Sequence, residues 1–79
     1  MVTSFHSEDY EKLTALLVEV RRKSGLTQQA VADRLGRPQS YVAKIEVGER
    51  RLDIIEFIHL VRAIDASPEE VLAELVARA

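Results

Sequence analysis

An all-α fold of five short helices is what this 79-residue chain predicts, and three observations carry the expectation. Apolar residues recur at helical spacing in five separate segments. Side chains suited to cap a helix start, Ser7, Thr27, Asp53 and Ser67, stand just ahead of four of them. Gly25 and Gly36 stand where the first two segments should stop. A composition of 47% hydrophobic and 30% charged residues fits one small soluble domain over residues 1–79, without repeat, linker or low-complexity stretch. A chain of this size folds alone with little margin, so self-association would help it.

The first helix is expected to start at Ser7, followed by Glu8 and Asp9, which suit the positive end of the helix dipole. Its apolar stripe is Tyr10, Leu13, Leu17 and Val20, widened by Leu16, and Arg21, Arg22 and Lys23 lie at the cation-favouring end before Ser24-Gly25. The second helix has Thr27 as N-cap and Val31, Ala32 and Leu35 as its apolar side, with Gly36 as a left-handed stop. Pro38 is expected to open the third helix, where its missing N–H costs nothing. That helix keeps Val42 and Ile45 for a core, Ala43 can face either way, and Gln39, Ser40, Tyr41 and Lys44 are left outside. The fourth helix carries a capping-box pattern, Asp53 with Glu56, and a hydrophobic staple, Leu52 with Phe57. Its buried side is expected to be Ile54 or Ile55, then Ile58, Val61 and Ile64. The fifth, over residues 67–78, opens on Ser67-Pro68-Glu69-Glu70 and continues with Val71, Leu72, Leu75 and Val76.

A short helix, a tight turn and a second helix with a polar outer face, over residues 26–48, make a helix-turn-helix. Gln and Lys on such a face can hydrogen-bond base edges in a major groove. The net charge of −2 looks wrong for that role until it is mapped. Residues 21–51 sum to +5, residues 1–20 to −3 and residues 52–79 to −4. Phosphate binding depends on the local field, and here the basic charge is concentrated around the motif.

These residues resemble the DNA-binding domain of the lambda-repressor/Cro (XRE-type) superfamily, in its branch of small bacterial and phage regulators. The elements that match are Gly25-Leu26-Thr27-Gln28, Ala32, Gly36, Gln39-Ser40-Tyr41-Val42, Lys44-Ile45-Glu46, Gly48 and the run Arg50-Arg51-Leu52-Asp53, within roughly residues 10–66. The departures are Arg37, where the family usually has an apolar residue, Val47, where it has a polar one, and Asp65, where it often has Gly. The resemblance implies a five-helix lambda-repressor-like fold that binds double-stranded DNA. It implies base-edge contacts from Gln39, Ser40 and Lys44, and phosphate contacts at the start of the second helix from Thr27 and Gln28. Arg50 and Arg51 follow the third helix as backbone contacts, with a solvated loop as the alternative. Tyr41 has two readings, a hydroxyl on a phosphate or a ring partly in the core. A carboxylate at the end of a helix, as at Glu46, opposes the dipole and needs a cation. The family pattern supplies it from the first helix at Arg21, implying a structural ion pair.

The function predicted is a sequence-specific transcriptional regulator, a repressor by default, acting as a homodimer on a near-palindromic operator. The apolar surface of the fifth helix, Leu72, Leu75 and Val76 with Val71, is the expected interface, although Leu75 packing inward is a competing placement. About eight phosphates neutralised by a dimer would give a slope of log affinity against log salt of about −7. An antitoxin-like interaction module whose DNA binding is auxiliary is the alternative, and a toxin-like small gene beside it would favour that reading. A structural adaptor that has lost DNA binding is a third, opposed by the intact Gln39-Ser40 and Lys44 set. The absence of cysteine removes disulfides and thiol chemistry together. His6 and His59 lack a spaced ligand set, so neither metal nor cofactor is expected. Glu69-Glu70 reads as helix-start electrostatics, and no nucleophile is accompanied by a base at a known spacing in the sequence, so no enzymatic activity is expected. Without a signal peptide or a membrane-spanning run, the cytoplasm is the default compartment, and no membrane or small-molecule partner is expected.

Overall fold

The computed structural model describes residues 7–79, which leaves His6 outside the described residues. These residues form five helices and no strand: α1 (Glu8–Lys23), α2 (Gln28–Leu35), α3 (Gln39–Glu46), α4 (Ile54–Ala63) and α5 (Pro68–Arg78). Four of the helix starts are closed by the side chains that the sequence nominates. Ser7 Oγ accepts from the N–H of Tyr10 at 3.2 Å, Thr27 Oγ1 from Ala30 at 3.0 Å, and Ser67 Oγ from Glu70 at 3.2 Å. At α4 the capping box is complete, with Glu56 N–H donating to Asp53 Oδ1 at 2.7 Å and Asp53 N–H to Glu56 Oε1 at 3.0 Å. Each such cap contributes about 1 kcal/mol, so these short helices do not rely on propensity alone.

The exception is α3. Pro38 is its N-cap and not its first helical residue: ψ is 154°, and no side chain accepts from the first turn. The ring fixes φ at −66°, which serves either position. Gly36 ends α2 in the left-handed region at φ 67°, and the N–H of Arg37 then reaches back to the carbonyl of Ala32. That reversal turns α3 against α2 within three residues, 36–38.

One apolar cluster joins all five helices: Leu16 and Leu17 of α1, Val31 and Ala32 of α2, Val42 and Ile45 of α3, Phe57, Leu60 and Val61 of α4, Ile64 just beyond it, and Val71 of α5. Two expectations are corrected here. The inward stripe of α4 is Phe57, Leu60, Val61 and Ile64, while Ile54 and Ile55 are 60% and 56% exposed and Ile58 is half-buried. At 3.6 residues per turn the buried stripe is rotated by about 60–80° from the expected one, depending on whether Ile54 or Ile55 is taken. The cause is Phe57, the bulkiest apolar side chain of the helix, which takes the inward position and turns Ile55 to the opposite side. Val71, expected at an interface, is only 6% exposed and belongs to the core.

Asp65 ends α4 with φ 64°, the one non-glycine residue among those described in the left-handed region. Its short polar side chain tolerates this better than most. Arg34 of α2 secures the corner by donating to Asp65 Oδ2 at 2.8 Å and to the carbonyl of Ala63 at 2.9 Å. Among the described residues no helix is long and apolar enough to cross a membrane.

Candidate nucleic-acid interface

The outer side of α3 is built by subtraction. Val42 and Ile45 are drawn fully into the core, and the helical period then leaves Gln39, Ser40 and Lys44 exposed on the opposite side. Val47, at the end of the same helix, is exposed as well.

A chain of polar contacts runs from the core to that surface. Arg21 is the buried charged residue of the described chain, 9% exposed. Its Nε donates to Glu46 Oε2 at 2.6 Å, its Nη2 to Glu46 Oε1 at 3.0 Å and its Nη1 to the carbonyl of Leu26 at 2.9 Å. Hydrogen bonding to Glu46 raises the pKa of the guanidinium against the opposing effect of burial. The bidentate fork is the strong form of this pairing, and it ties α3 to α1 as the resemblance implies. Gln28, the first residue of α2, donates from Nε2 to the same Glu46 Oε1 at 2.8 Å. Its Oε1 in turn accepts from Gln39 Nε2 at 2.6 Å. Gln39 therefore stands on the outer face with its amide held at one end, which fixes the side chain before any ligand arrives.

The other nominated residues divide. Thr27 spends its oxygen on the cap of α2. Both amide atoms of Gln28 are engaged within the protein, so its place is one of support beside the exposed face. Arg50 is turned inward: its Nη2 meets Glu56 Oε2 at 2.9 Å and its Nη1 donates to the carbonyl of Arg51 at 2.9 Å. The hydrogen bond to Glu56 raises the pKa of Arg50. The backbone N–H of Asp53, and after it Arg50, holds the Glu56 carboxyl below its ordinary value of 4.5. Arg51 lies over the Tyr10 ring, 3.9 Å from the centroid, and the Tyr10 hydroxyl oxygen accepts from the N–H of Leu52 at 3.2 Å. Tyr41 is half-buried with two guanidinium groups over its ring, Arg50 at 4.8 Å and Arg37 at 4.9 Å from the centroid. Arg37 is absent from the set that the sequence nominated. The signal was there, an arginine four residues ahead of a tyrosine in the turn that opens α3.

On the far side, α4 and α5 share an apolar surface. Leu72 and Val76 are exposed and Leu75 is half-buried, and Ile54 joins them in place of Val71, while Ile55 is exposed on the other side of α4. Ile54, Phe57 and Leu72 form the wall between two hollows. One of about 170 Å³ is completed by Leu13, Leu52, Asp53 and Leu75. The other, of about 280 Å³, is completed by Ile58, Arg62, Pro68 and Glu69. His59 is exposed, and no group of three or more potential metal ligands exists among the described residues. At the start of α5, Glu69 is held below its ordinary value by its own backbone N–H and by Ser67.

This geometry agrees with what known proteins show. The profile of a family described as a helix-turn-helix domain matches residues 12–75. An XRE-family-like protein from Pseudomonas syringae pv. tomato is 47% identical, with a TM-score of 0.88 over 94% of this chain and 90% of that one. The restriction-modification controller protein C.AhdI from Aeromonas hydrophila is 32% identical, with a TM-score of 0.73 over 82% of this chain and 98% of its own. The clp gene regulator ClgR from Corynebacterium glutamicum shares the fold at 24% identity, with a TM-score of 0.78 over 90% and 91% of the two chains. The chain belongs to the helix-turn-helix family, in its XRE branch. It is a DNA-binding regulator of that type.

Proposed function

We propose that the protein is a sequence-specific repressor that acts as a homodimer on a near-palindromic operator. The observation that carries this reading is the exposed Gln39-Ser40-Lys44 face, anchored through Gln28 and Glu46 to a buried arginine. An unanchored glutamine on a surface helix loses rotamer freedom on binding a base, whereas a held one has lost it on folding. In this reading α3 lies in the major groove, Gln39, Ser40 and Lys44 meet base edges, and Thr27, Gln28, Tyr41, Arg50 and Arg51 line the flanking phosphates. Arg50 and Gln28 act there chiefly by holding neighbours in place, given the partners they already have.

The apolar α4–α5 surface supports the dimer. Its wall of Ile54 and Leu72 stands between two hollows, a shape that a two-fold related copy can meet with its own. Two recognition helices about 34 Å apart would then read two half-sites.

The test is selection of bound duplexes from a random pool, followed by affinity measurements on the selected site. Gln39→Ala and Lys44→Ala each cost about 1–3 kcal/mol on the selected site and relax one base position. Equal losses on selected and random duplexes would show that α3 is not the reader. Ile54→Glu with Leu72→Glu gives a folded monomer by circular dichroism and sedimentation. A folded variant that remains a dimer places the interface elsewhere.

A further inference from the structure

The Arg37–Tyr41 pair assigns a phosphate-binding group that the reading above does not contain. We propose that Arg37, stacked on the Tyr41 ring, is a dedicated contact to the DNA backbone, and that Tyr41 serves it through its ring and not its hydroxyl. The proposal rests on the DNA-binding reading.

Three observations converge on it. The first is balance of charge. One ring receives two guanidinium groups, at 4.8 Å and 4.9 Å, but only one has its charge answered. Arg50 is paired with Glu56, whereas Arg37 has no carboxylate or hydrogen-bond partner for its side chain among the described residues. Glu56 feels Arg37 only as the weakest of its perturbing charges. The unanswered cation of this cluster is therefore Arg37.

The second is pre-organisation. The backbone at Arg37 is fixed on both sides, by the left-handed Gly36 before it and by the ring of Pro38 after it, and its N–H is bonded to the carbonyl of Ala32. Stacking on an aromatic face then orients the guanidinium while leaving the N–H donors on its edge unused. Those donors match two phosphate oxygens in a bidentate contact.

The third is place. Arg37 is exposed and lies two residues ahead of Gln39, at the end of the recognition helix that approaches the groove. The first turn of α3 beside it has no side-chain cap, so its backbone N–H groups add to the positive potential there. An apolar residue at position 37 would supply none of this.

The test is fluorescence anisotropy of wild-type and variant proteins on a selected duplex and on a random duplex, each over a range of sodium chloride concentrations. Arg37→Ala should weaken binding to both duplexes by a common factor of about ten. It should also flatten the slope of log affinity against log salt by about 0.9 per subunit. Tyr41→Leu, which removes the ring, should lose much more affinity than Tyr41→Phe, which keeps it, and on both duplexes alike. A wild-type affinity and slope in Arg37→Ala overturns the proposal, as does a loss confined to the selected duplex, which would make Arg37 a base reader. Loss of binding in Tyr41→Phe equal to that of Arg37→Ala overturns the role given to the ring. A wild-type protein that binds neither duplex defeats the DNA-binding reading itself, an outcome distinct from all of these.

Discussion

Removing one member of the Arg21–Glu46 pair is the sharpest perturbation that the structure offers. The two side chains are 11% and 7% exposed, and both carboxylate oxygens take a guanidinium N–H, at 2.6 Å and 3.0 Å. In Glu46→Ala the guanidinium keeps only the carbonyl of Leu26 and remains buried with its charge unanswered. Breaking a buried pair in this way costs about 3–5 kcal/mol. The lower end applies, because Arg21 retains one good acceptor. A small domain is stable by about 5–15 kcal/mol, so a loss of about 3 kcal/mol is a large share of the total. Arg21→Ala should cost a similar amount, since Glu46 is then left with Gln28 alone. The double variant should cost less than the two losses together, by about 2 kcal/mol, because neither charge is then stranded. Urea unfolding followed by circular dichroism measures all three. A second readout separates geometry from stability: replacing the pair by Met and Leu should restore much of the folding free energy but not operator affinity, because Gln28 and Gln39 lose their anchor. Single losses below about 1 kcal/mol, or strictly additive ones, would show that the pair is solvated and that α3 is held by its apolar side alone.

Asp65, left-handed at φ 64°, sets up a backbone test. Asp65→Ala should cost about 1–2 kcal/mol and Asp65→Gly about 1 kcal/mol less, a gap that belongs to the backbone because both variants lose the exposed Arg34 bridge equally. Chemical denaturation reads the difference, and equal losses would mean that the corner carries no strain. Acid sensitivity follows from carboxylates whose folded pKa is depressed. Glu56 is held down first by the backbone N–H of Asp53, Glu19 by its hydrogen bond to Arg78, and Glu69 by its own backbone N–H. Their stabilisation is present above the unfolded value of 4.5 and is lost as pH falls through the lower folded values. Thermal melts over an acidic series should show that loss, with a shallower fall in Glu56→Gln. An identical fall in that variant would assign the acid transition to other groups.

What the sequence reveals and what it conceals follow from the range of the interactions. Ser7, Thr27, Asp53 and Ser67 act within three residues, so those four helix starts could be read directly, whereas Pro38 is the N-cap of α3 and not its first helical residue. Gly36 likewise announces its own φ. The orientation of α4 could not be read. Between 54 and 64 only Glu56, His59 and Arg62 are polar, three residues apart, which leaves an apolar surface too wide to choose its inward line. Packing chose Phe57 over Ile54 and Ile55, and that choice created the exposed α4–α5 surface. The partner of Arg21 was legible only through the resemblance, since it lies 25 residues away. The inward turn of Arg50 toward Glu56 and the bond from Gln28 to Gln39 depend on where separate helices meet. No periodicity carries that information.

The same contacts limit how much of the basic charge can reach DNA. Of the eight cations between residues 21 and 51, Arg21, Arg34 and Arg50 already hold Glu46, Asp65 and Glu56. Arg51 is stacked on Tyr10. Arg22, Lys23, Arg37 and Lys44 have no carboxylate partner among the described residues. If all four met phosphates in each half of a dimer, together with Arg51 in the backbone role proposed above, log affinity would fall against log salt with a slope of about −9. A lysine that reads a base releases no phosphate counterion, so Lys44 in the role proposed for it lowers the expectation to about −7. A titration on the selected duplex that returns about −9 would place Lys44 on the backbone and leave Gln39 and Ser40 to carry the sequence preference. A slope near zero would refute the electrostatic footing of the whole interface.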